Sequence, residues 1–135
     1  MGTILRSAAA AGVDHVLLTK DCVDPFSPKV LRSGMGAQFR LPMQMLEIDQ
    51  ILQFSQEKNL SLFIADSNTT QSCWQENFKP ALALVIGNEA NGPSKAFFTQ
   101  QAKTIKIPMP GGFESLNAAV AAGILMFEIV HQRTQ

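Results

Sequence analysis

Residues 105–128 constrain the fold most, because a strand, a tight bend and an apolar helix follow one another there without a spacer. Apolar and polar residues alternate over residues 105–109, which predicts a short strand that stops at two prolines. Gly111 and Gly112 then permit backbone conformations that residues with a Cβ avoid. The sequence therefore predicts a sharp bend between this strand and the helix that follows.

The helix predicted at residues 115–131 is rich in alanine and almost free of charge. This composition is typical of a helix that is buried over most of its surface, and Ser115 stands where an N-cap is expected. An ordinary core helix fits the pattern, and so does a helix at a subunit interface. Its small residues would let another backbone approach closely in either case: Ala118, Ala119, Ala121, Ala122 and Gly123.

The composition predicts one globular domain over residues 1–135. Hydrophobic residues make up 46% of the chain and charged residues 16%, which excludes a disordered chain. Eleven basic residues balance eleven acidic ones, so the net charge alone does not call for nucleic acid. Cys22 and Cys73 lie far apart without metal-site spacing, so we expect reduced thiols and no metal. We also expect no membrane span and no signal peptide, and hence an intracellular protein of the cytoplasm or mitochondrion.

Predicted strands alternate with predicted helices along the chain. The helices are expected at residues 3–11, 28–35 and 48–59, and the strands at residues 15–20, 38–43, 60–65 and 81–86. Residues 67–79 form a polar loop in which we expect Trp74 to plug the edge of the core. Because the strands are continuous apolar runs, the pattern predicts an α/β fold with a mainly parallel sheet and helices on both faces.

The loop that follows the strand at residues 81–86 is a candidate ligand site, because parallel sheets bind ligands at the carboxyl ends of their strands. Gly87 and Gly92 have the spacing of a phosphate-binding loop. However, Pro93 stands where that motif needs a lysine, and Glu89 would place a negative charge beside the phosphates. A nucleoside triphosphatase is therefore disfavoured.

Three blocks of the sequence, residues 2–8, 87–92 and 107–121, resemble the SpoU/TrmH group of SPOUT RNA ribose 2′-O-methyltransferases. The first block is similar to the family's N-x-G-x-x-x-R segment, with Gly2 and Arg6 in place. The order and separation of the blocks match as well, and the resemblance spans essentially the whole chain.

One part of the family pattern is missing at the start of the chain. The family asparagine two residues before Gly2 would fall before Met1, and so would the first strand and the usual small RNA-binding domain. We therefore expect a domain that is shortened at its N-terminus.

The resemblance implies a deep trefoil knot in the C-terminal part of the sheet and an S-adenosylmethionine site within it. The implied cofactor residues are Gly87, Ile107, Met109 and Leu116. The residue chemistry agrees, because Gly87 permits close backbone approach while Ile107 and Leu116 can sandwich a flat base. A plain core role for the two apolar side chains is the alternative.

The implied reaction is methyl transfer to a ribose 2′-hydroxyl of rRNA or tRNA. Arg6 is the implied catalytic residue; its guanidinium stays charged, so we expect it to bind phosphate and stabilise the developing alkoxide rather than act as an unaided base. Glu89 matches a motif glutamate that fixes loops or orients Arg6, and Ser115 and Asn117 match polar positions of the site. Each has an alternative structural explanation, and for Asn117 we expect function rather than helix capping.

RNA binding is expected at Arg6 and at a basic stretch of the domain itself. Lys29, Arg32 and Arg40 lie within residues 27–45, which contain no acidic residue. A solvated helix face is the alternative explanation of this stretch. Two further aromatic residues are expected to fill the core or an interface rather than to stack on bases, namely Phe97 and Phe98.

We expect a homodimer built on the last helix, because that helix is apolar around nearly its whole circumference and one small domain covers only one face. The family resemblance implies the same assembly. The competing hypothesis is a catalytically silent RNA-binding or assembly subunit of the same fold. Cofactor affinity and methyl transfer separate the two.

Overall fold

All five strands of this protein pair in parallel. The computed structural model describes all 135 residues, which divide into a first unit, residues 1–51, and a second unit, residues 52–135. The strands are β1 (Val16–Leu18), β2 (Met43–Met45), β3 (Ser61–Ala65), β4 (Leu82–Val85) and β5 (Lys103–Ile105). The helices are α1 (Gly2–Ala11), α2 (Pro28–Gly34), α3 (Ile48–Glu57) and α4 (Ala118–Arg133). The predicted α/β class with parallel sheets is confirmed.

In the first unit, β1 pairs with β2 and α1 packs against α2. α1 buries Leu5 and Ala8, which lie three residues apart on one helix face. Where α1 meets α2, a Cβ added to Gly2 would lie 1.8 Å from Ser33 Oγ and 2.8 Å from the main-chain nitrogen of Gly34. The two helices therefore approach so closely that only glycine fits at position 2.

In the second unit, β3 is the central strand of the order β4-β3-β5. Its core is built on an edge-to-face pair of Phe63 and Phe78, whose ring centroids lie 5.0 Å apart. Ile105 and Leu125 are almost completely buried against the same cluster. Because β3 pairs in parallel on both sides, the carboxyl ends of all three strands lie at one edge of the sheet.

Cys73 belongs to this core and has no access to solvent. Burial, together with the nearby carboxylate of Glu128, raises the pKa of its thiol to about 11. The thiol is therefore protonated and unreactive at neutral pH. Cys22 also carries a free thiol.

The structure corrects several sequence predictions. Trp74 is 50% exposed and does not plug the core, whereas Phe78, four residues later, is fully buried there. The strand predicted at residues 38–43 is instead a 3₁₀ turn, Ala37–Phe39, followed by β2. The reason is the buried amide of Gln38, whose Nε2 donates to the carbonyls of Pro25 and Val30 and so holds the turn against the preceding loop.

Two boundaries near the end of the chain also differ from prediction. The strand predicted at residues 105–109 lies earlier, at β5, where it pairs with β3. The last helix begins at Ala118 rather than Ser115, because Asn117 caps it. None of the four α-helices has the length and hydropathy of a membrane-spanning segment.

We expect Gly2→Ala to lower the free energy of unfolding by about 1–3 kcal/mol, the usual cost of forcing extra atoms into a packed contact. The added methyl must displace Ser33 and push against the backbone of α2. Urea denaturation followed by circular dichroism measures the change. Gly111→Ala is the control, because a Cβ there would meet nothing within 4 Å. Equal stability of the two variants would contradict the close helix contact.

Candidate functional site

A cavity of about 700 Å³ opens in the second unit at the carboxyl edge of its sheet. Its walls come from the loops that follow β3, β4 and β5 and from the start of α4. Loops at this edge of a parallel sheet are free to vary without disturbing the strands, which is why ligand sites form there. Seven residues predicted for the site line this one cavity: Gly87, Glu89, Ile107, Met109, Ser115, Leu116 and Asn117.

The loop after β4 folds back on itself through Gly87. A Cβ at this position would lie 2.2 Å from the main-chain nitrogen of Pro93 and 2.3 Å from the carbonyl carbon of Gly92. The turn is closed by the amide of Gly92, which donates to the carbonyl of Asn88, and by the amide of Asn91, which donates to Asn88 Oδ1. The fold of the loop itself therefore requires glycine at position 87, whether or not a ligand also approaches the backbone there.

Asn117 forms the N-cap of α4. Its Oδ1 accepts hydrogen bonds from the amide of Ala119 at 2.8 Å and from that of Val120 at 3.3 Å. Ser115 lies outside the helix and does not cap it, so that alternative explanation of Ser115 is wrong. We expected function rather than helix capping at Asn117. The exclusion of capping is wrong, because Asn117 stands before the first turn of α4 and caps it.

Glu89 links the loop after β4 to the same helix end. Its Oε1 accepts a hydrogen bond from the amide of Ala118 at 3.4 Å. A carboxylate near the positive end of a helix dipole is stabilised, although the effect is small for an exposed group. This contact agrees with one of the two roles predicted for Glu89, namely that it fixes loops.

Apolar and polar groups lie on different parts of the cavity wall. Ile86, Ile107 and Leu125 contribute partly or fully buried apolar surface. No protein group accepts a hydrogen bond from the main-chain amide of Ile107 or of Leu116. Two free amides beside apolar side chains suit a ligand that has a flat apolar face and polar edges.

The part of the cavity wall that follows β3 was not predicted from the sequence. Asp66, Ser67 and Asn68 line the cavity, and Asp66 Oδ1 accepts a hydrogen bond from the amide of Asn68 at 3.0 Å. Their position directly after the predicted strand at residues 60–65 was the available signal, because that strand ends at the same edge. Two basic residues and one aromatic residue on the wall were also missed as site residues: Lys95, Lys106 and Phe98. Phe97, by contrast, is buried as expected.

The sequence matches the model of the SpoU rRNA methylase family over residues 1–127. The chain belongs to the SpoU rRNA methylase family. It is 38% identical over 98% of its length to an uncharacterized tRNA/rRNA methyltransferase of Synechocystis, covering 49% of that protein. It is 36% identical over 99% of its length to the 23S rRNA (guanosine-2′-O-)-methyltransferase RlmB of Xylella fastidiosa, covering 54% of it.

Solved structures of this family have the same fold. The SpoU methyltransferase AviRb of Streptomyces viridochromogenes, in complex with the cofactor AdoMet, superposes with a TM-score of 0.91 at 31% identity. That match covers 99% of this chain and 53% of AviRb. The chain thus spans about half the length of the curated relatives that it matches.

The remaining predicted residues of this SpoU family chain lie in the first unit. Arg6 is exposed on α1, Lys29 and Arg32 are exposed on α2, and Arg40 is exposed directly after the 3₁₀ turn. None of the four side chains forms an ion pair within the chain. Their positive charges are therefore available to a partner, and their assignment to RNA stays a prediction.

We expect Asn117→Ala to lower the free energy of unfolding by about 1 kcal/mol, because two amides of α4 lose their acceptor. Asn117→Asp and Asn117→Ser should retain most of the stability, since both side chains can cap. Chemical denaturation measures all three. The control is Ser115→Ala, which removes no cap and should change stability by less than about 0.5 kcal/mol. An Asn117→Ala variant as stable as the control would contradict the capping role.

Proposed function

We propose that this chain is the catalytic domain of an S-adenosylmethionine-dependent RNA methyltransferase that modifies a ribose 2′-hydroxyl of rRNA or tRNA. The observation that carries the proposal is the single cavity lined by seven of the eight residues that the resemblance assigned to the cofactor and to catalysis, all except Arg6. These residues are spread over positions 87–117 of the sequence, and the parallel sheet gathers them at one edge. Membership of the SpoU family supports the same reaction.

The chemistry of the cavity suits S-adenosylmethionine. Ile107 and Leu116 offer apolar surface for the adenine ring, and their free amides are donors for its polar edge. Asp66 and Asn68 supply polar groups suited to hydroxyl groups of the ribose. The cofactor supplies an activated methyl group, and the role of this domain is to hold it beside the RNA and to exclude water.

Arg6 is proposed to act on the RNA rather than on the cofactor. Its guanidinium remains charged at any physiological pH and offers a planar fork of donors. Such a group can bind a phosphate of the RNA and stabilise negative charge as the ribose 2′-oxygen loses its proton. Glu89, which accepts a hydrogen bond from the start of α4, is proposed to hold the loops of the cavity in place for this step.

We further propose the trefoil knot and the homodimer of SPOUT proteins for this chain. Support for the knot comes from the similarity to SpoU structures over essentially the whole chain.

Support for the dimer comes from α4, where Val120 and Phe127 are exposed while Ala122 and Leu125 face the core. Val120 and Phe127 are seven residues apart, about two helical turns, so they share one face of α4 that is about half exposed.

We expect the protein to bind S-adenosylmethionine and to transfer its methyl group to RNA. Arg6→Ala should lower the transfer rate by about 10²–10³-fold, the usual cost of removing a charge-stabilising donor, while the heat of cofactor binding stays near that of the native chain. Arg6→Lys should restore the rate only in part, because lysine lacks the planar fork. Isothermal calorimetry and transfer of labelled methyl groups to total RNA measure the two properties.

Lys58→Ala is the matched control, because Lys58 is an exposed cation outside the cavity. It should leave both measurements unchanged. Absence of cofactor heat in the native chain would overturn the proposed function. Cofactor binding without any methyl transfer would instead identify a catalytically silent subunit, and a native rate in Arg6→Ala would remove Arg6 from the mechanism.

We expect Phe127→Glu to convert the dimer to a monomer, because a charge on the exposed face of α4 must be desolvated in the interface. Sedimentation velocity at several concentrations measures the change. Trp74→Glu is the control, since Trp74 is a similarly exposed aromatic residue away from α4. A native chain that sediments as a monomer and still methylates RNA would contradict the proposed dimer.

A further inference from the structure

Two phenylalanine side chains are exposed together on the first unit. Phe39 is 77% exposed and Phe26 is 49% exposed, yet their ring centroids lie only 6.1 Å apart with the planes inclined at 49°. Burial of such rings in a core would be favourable by a few kcal/mol each, so an exposed pair calls for an explanation. The proposed methyl-transfer cavity does not use either ring, since both belong to the first unit.

The pair is held in place by a buried side chain. Gln38 is almost completely buried, and its Nε2 donates to the carbonyl of Pro25 at 3.0 Å and to that of Val30 at 2.9 Å. Gln38 precedes Phe39 and Pro25 precedes Phe26, so the first of these bonds ties together the backbone next to both rings. The amide of Phe26 also donates to Asp24 Oδ1 at 2.9 Å. The rings are therefore positioned by internal bonds instead of being left on a loose loop.

The sequence that follows Phe26 is basic. Residues 25–46 contain Lys29, Arg32 and Arg40 and no aspartate or glutamate. Lys29 and Arg32 are three residues apart on α2 and hence on neighbouring positions of one helix face, and Arg40 follows Phe39 directly. All three are exposed and none forms an ion pair. Asp24, at the edge of this region, already accepts the hydrogen bond from Phe26.

Exposed aromatic rings next to unpaired cations are the combination that binds single-stranded nucleic acid. Bases stack on the rings, and the cations contact the phosphates between them. A duplex offers no free base faces, so the rings select for unpaired nucleotides. An apolar protein partner would use the rings but would gain nothing from three unpaired cations, which must then be desolvated. The charge therefore favours RNA over a second protein as the occupant.

We propose that Phe26 and Phe39, together with Lys29, Arg32 and Arg40, form a stacking surface for unpaired bases of the RNA substrate. The choice of RNA as the nucleic acid rests on the proposed function. The geometry of the surface does not depend on that function. This inference assigns to the domain itself a means of selecting a loop or a single strand. The proposed surface thus adds two aromatic residues, Phe26 and Phe39, to the basic stretch that was predicted from the sequence.

The test is the binding of a fluorescein-labelled oligouridylate of about ten nucleotides, a length within the usual site size of a single-strand binding surface. Fluorescence anisotropy with the full chain, without cofactor, gives the affinity. We expect Phe39→Ala to weaken binding about tenfold, the effect of losing one stacked base. Phe39→Trp should restore the affinity, whereas Phe39→Leu should not, because leucine has no flat ring.

The charged residues have a separate signature. Arg40→Gln should weaken binding of any single strand and reduce the slope of log affinity against log salt by about one, since one phosphate contact is lost. Phe39→Ala should leave that slope unchanged. A duplex of the same length should bind more weakly and should be insensitive to Phe39→Ala.

The control variant is Trp74→Ala, which removes an exposed aromatic side chain from the second unit. It should bind the oligouridylate like the native chain. Thermal unfolding of each variant excludes a folding defect, and the Phe39→Trp variant tests stacking even if the alanine variant is unstable. Native affinity in Phe39→Ala, or equal loss in Trp74→Ala, overturns the inference.

Three further outcomes separate this inference from the alternatives. If Phe39→Ala changes the sedimentation of the protein but not its affinity for oligouridylate, the surface is an interface between copies of the chain and the inference is wrong. If cofactor heat and methyl transfer are present while the ring variants bind normally, the inference fails and the proposed function stands. If both cofactor heat and methyl transfer are absent, the proposed function fails whatever the oligouridylate shows.

Discussion

Parallel pairing of β3 with strands on both sides is the constraint on which the second unit depends. Since β4 lies on one side of β3 and β5 on the other, the chain must pass from one side of the central strand to the other. The loops that make this change meet at the carboxyl ends of the strands, where they leave a crevice. The cavity of about 700 Å³ opens at this edge, and the buried core of Phe63, Phe78 and Ile105 fixes the strands that support it.

The walls of the cavity are held by local bonds that have no need of a ligand. Gly87 lets the loop after β4 fold back on Pro93, Asn117 caps α4, and Glu89 joins that loop to the helix start. Preorganised groups of this kind lower the cost of ordering a site when its ligand arrives. Asn117 shows that one residue can have a structural role and line the proposed active site at the same time.

The basic stretch of the first unit and the cavity of the second unit suit different ligands. Four cations of the first unit, Arg6, Lys29, Arg32 and Arg40, are exposed and form no ion pair, and the two exposed rings of that unit are fixed through buried Gln38. We propose that the two units have different roles, because a crevice suits a small cofactor whereas a basic and aromatic surface suits an extended RNA strand. The net charge of zero conceals the basic stretch, because five acidic residues balance the five basic residues within residues 1–51.

The sequence by itself determined the α/β class and the parallel sheets, because apolar periodicity is a local signal. The seven residues that line the cavity were implied by the resemblance of its motifs to the SpoU family. Only the tertiary structure decided that Phe78 rather than Trp74 fills the core, that residues 37–39 turn instead of extending, and that Asn117 rather than Ser115 caps α4. The pairing of Phe26 with Phe39 and the place of Asp66 on the cavity wall were likewise invisible beforehand. These features depend on contacts between residues distant in sequence or on competition between neighbouring caps, and no local pattern records which of the possible partners a side chain meets.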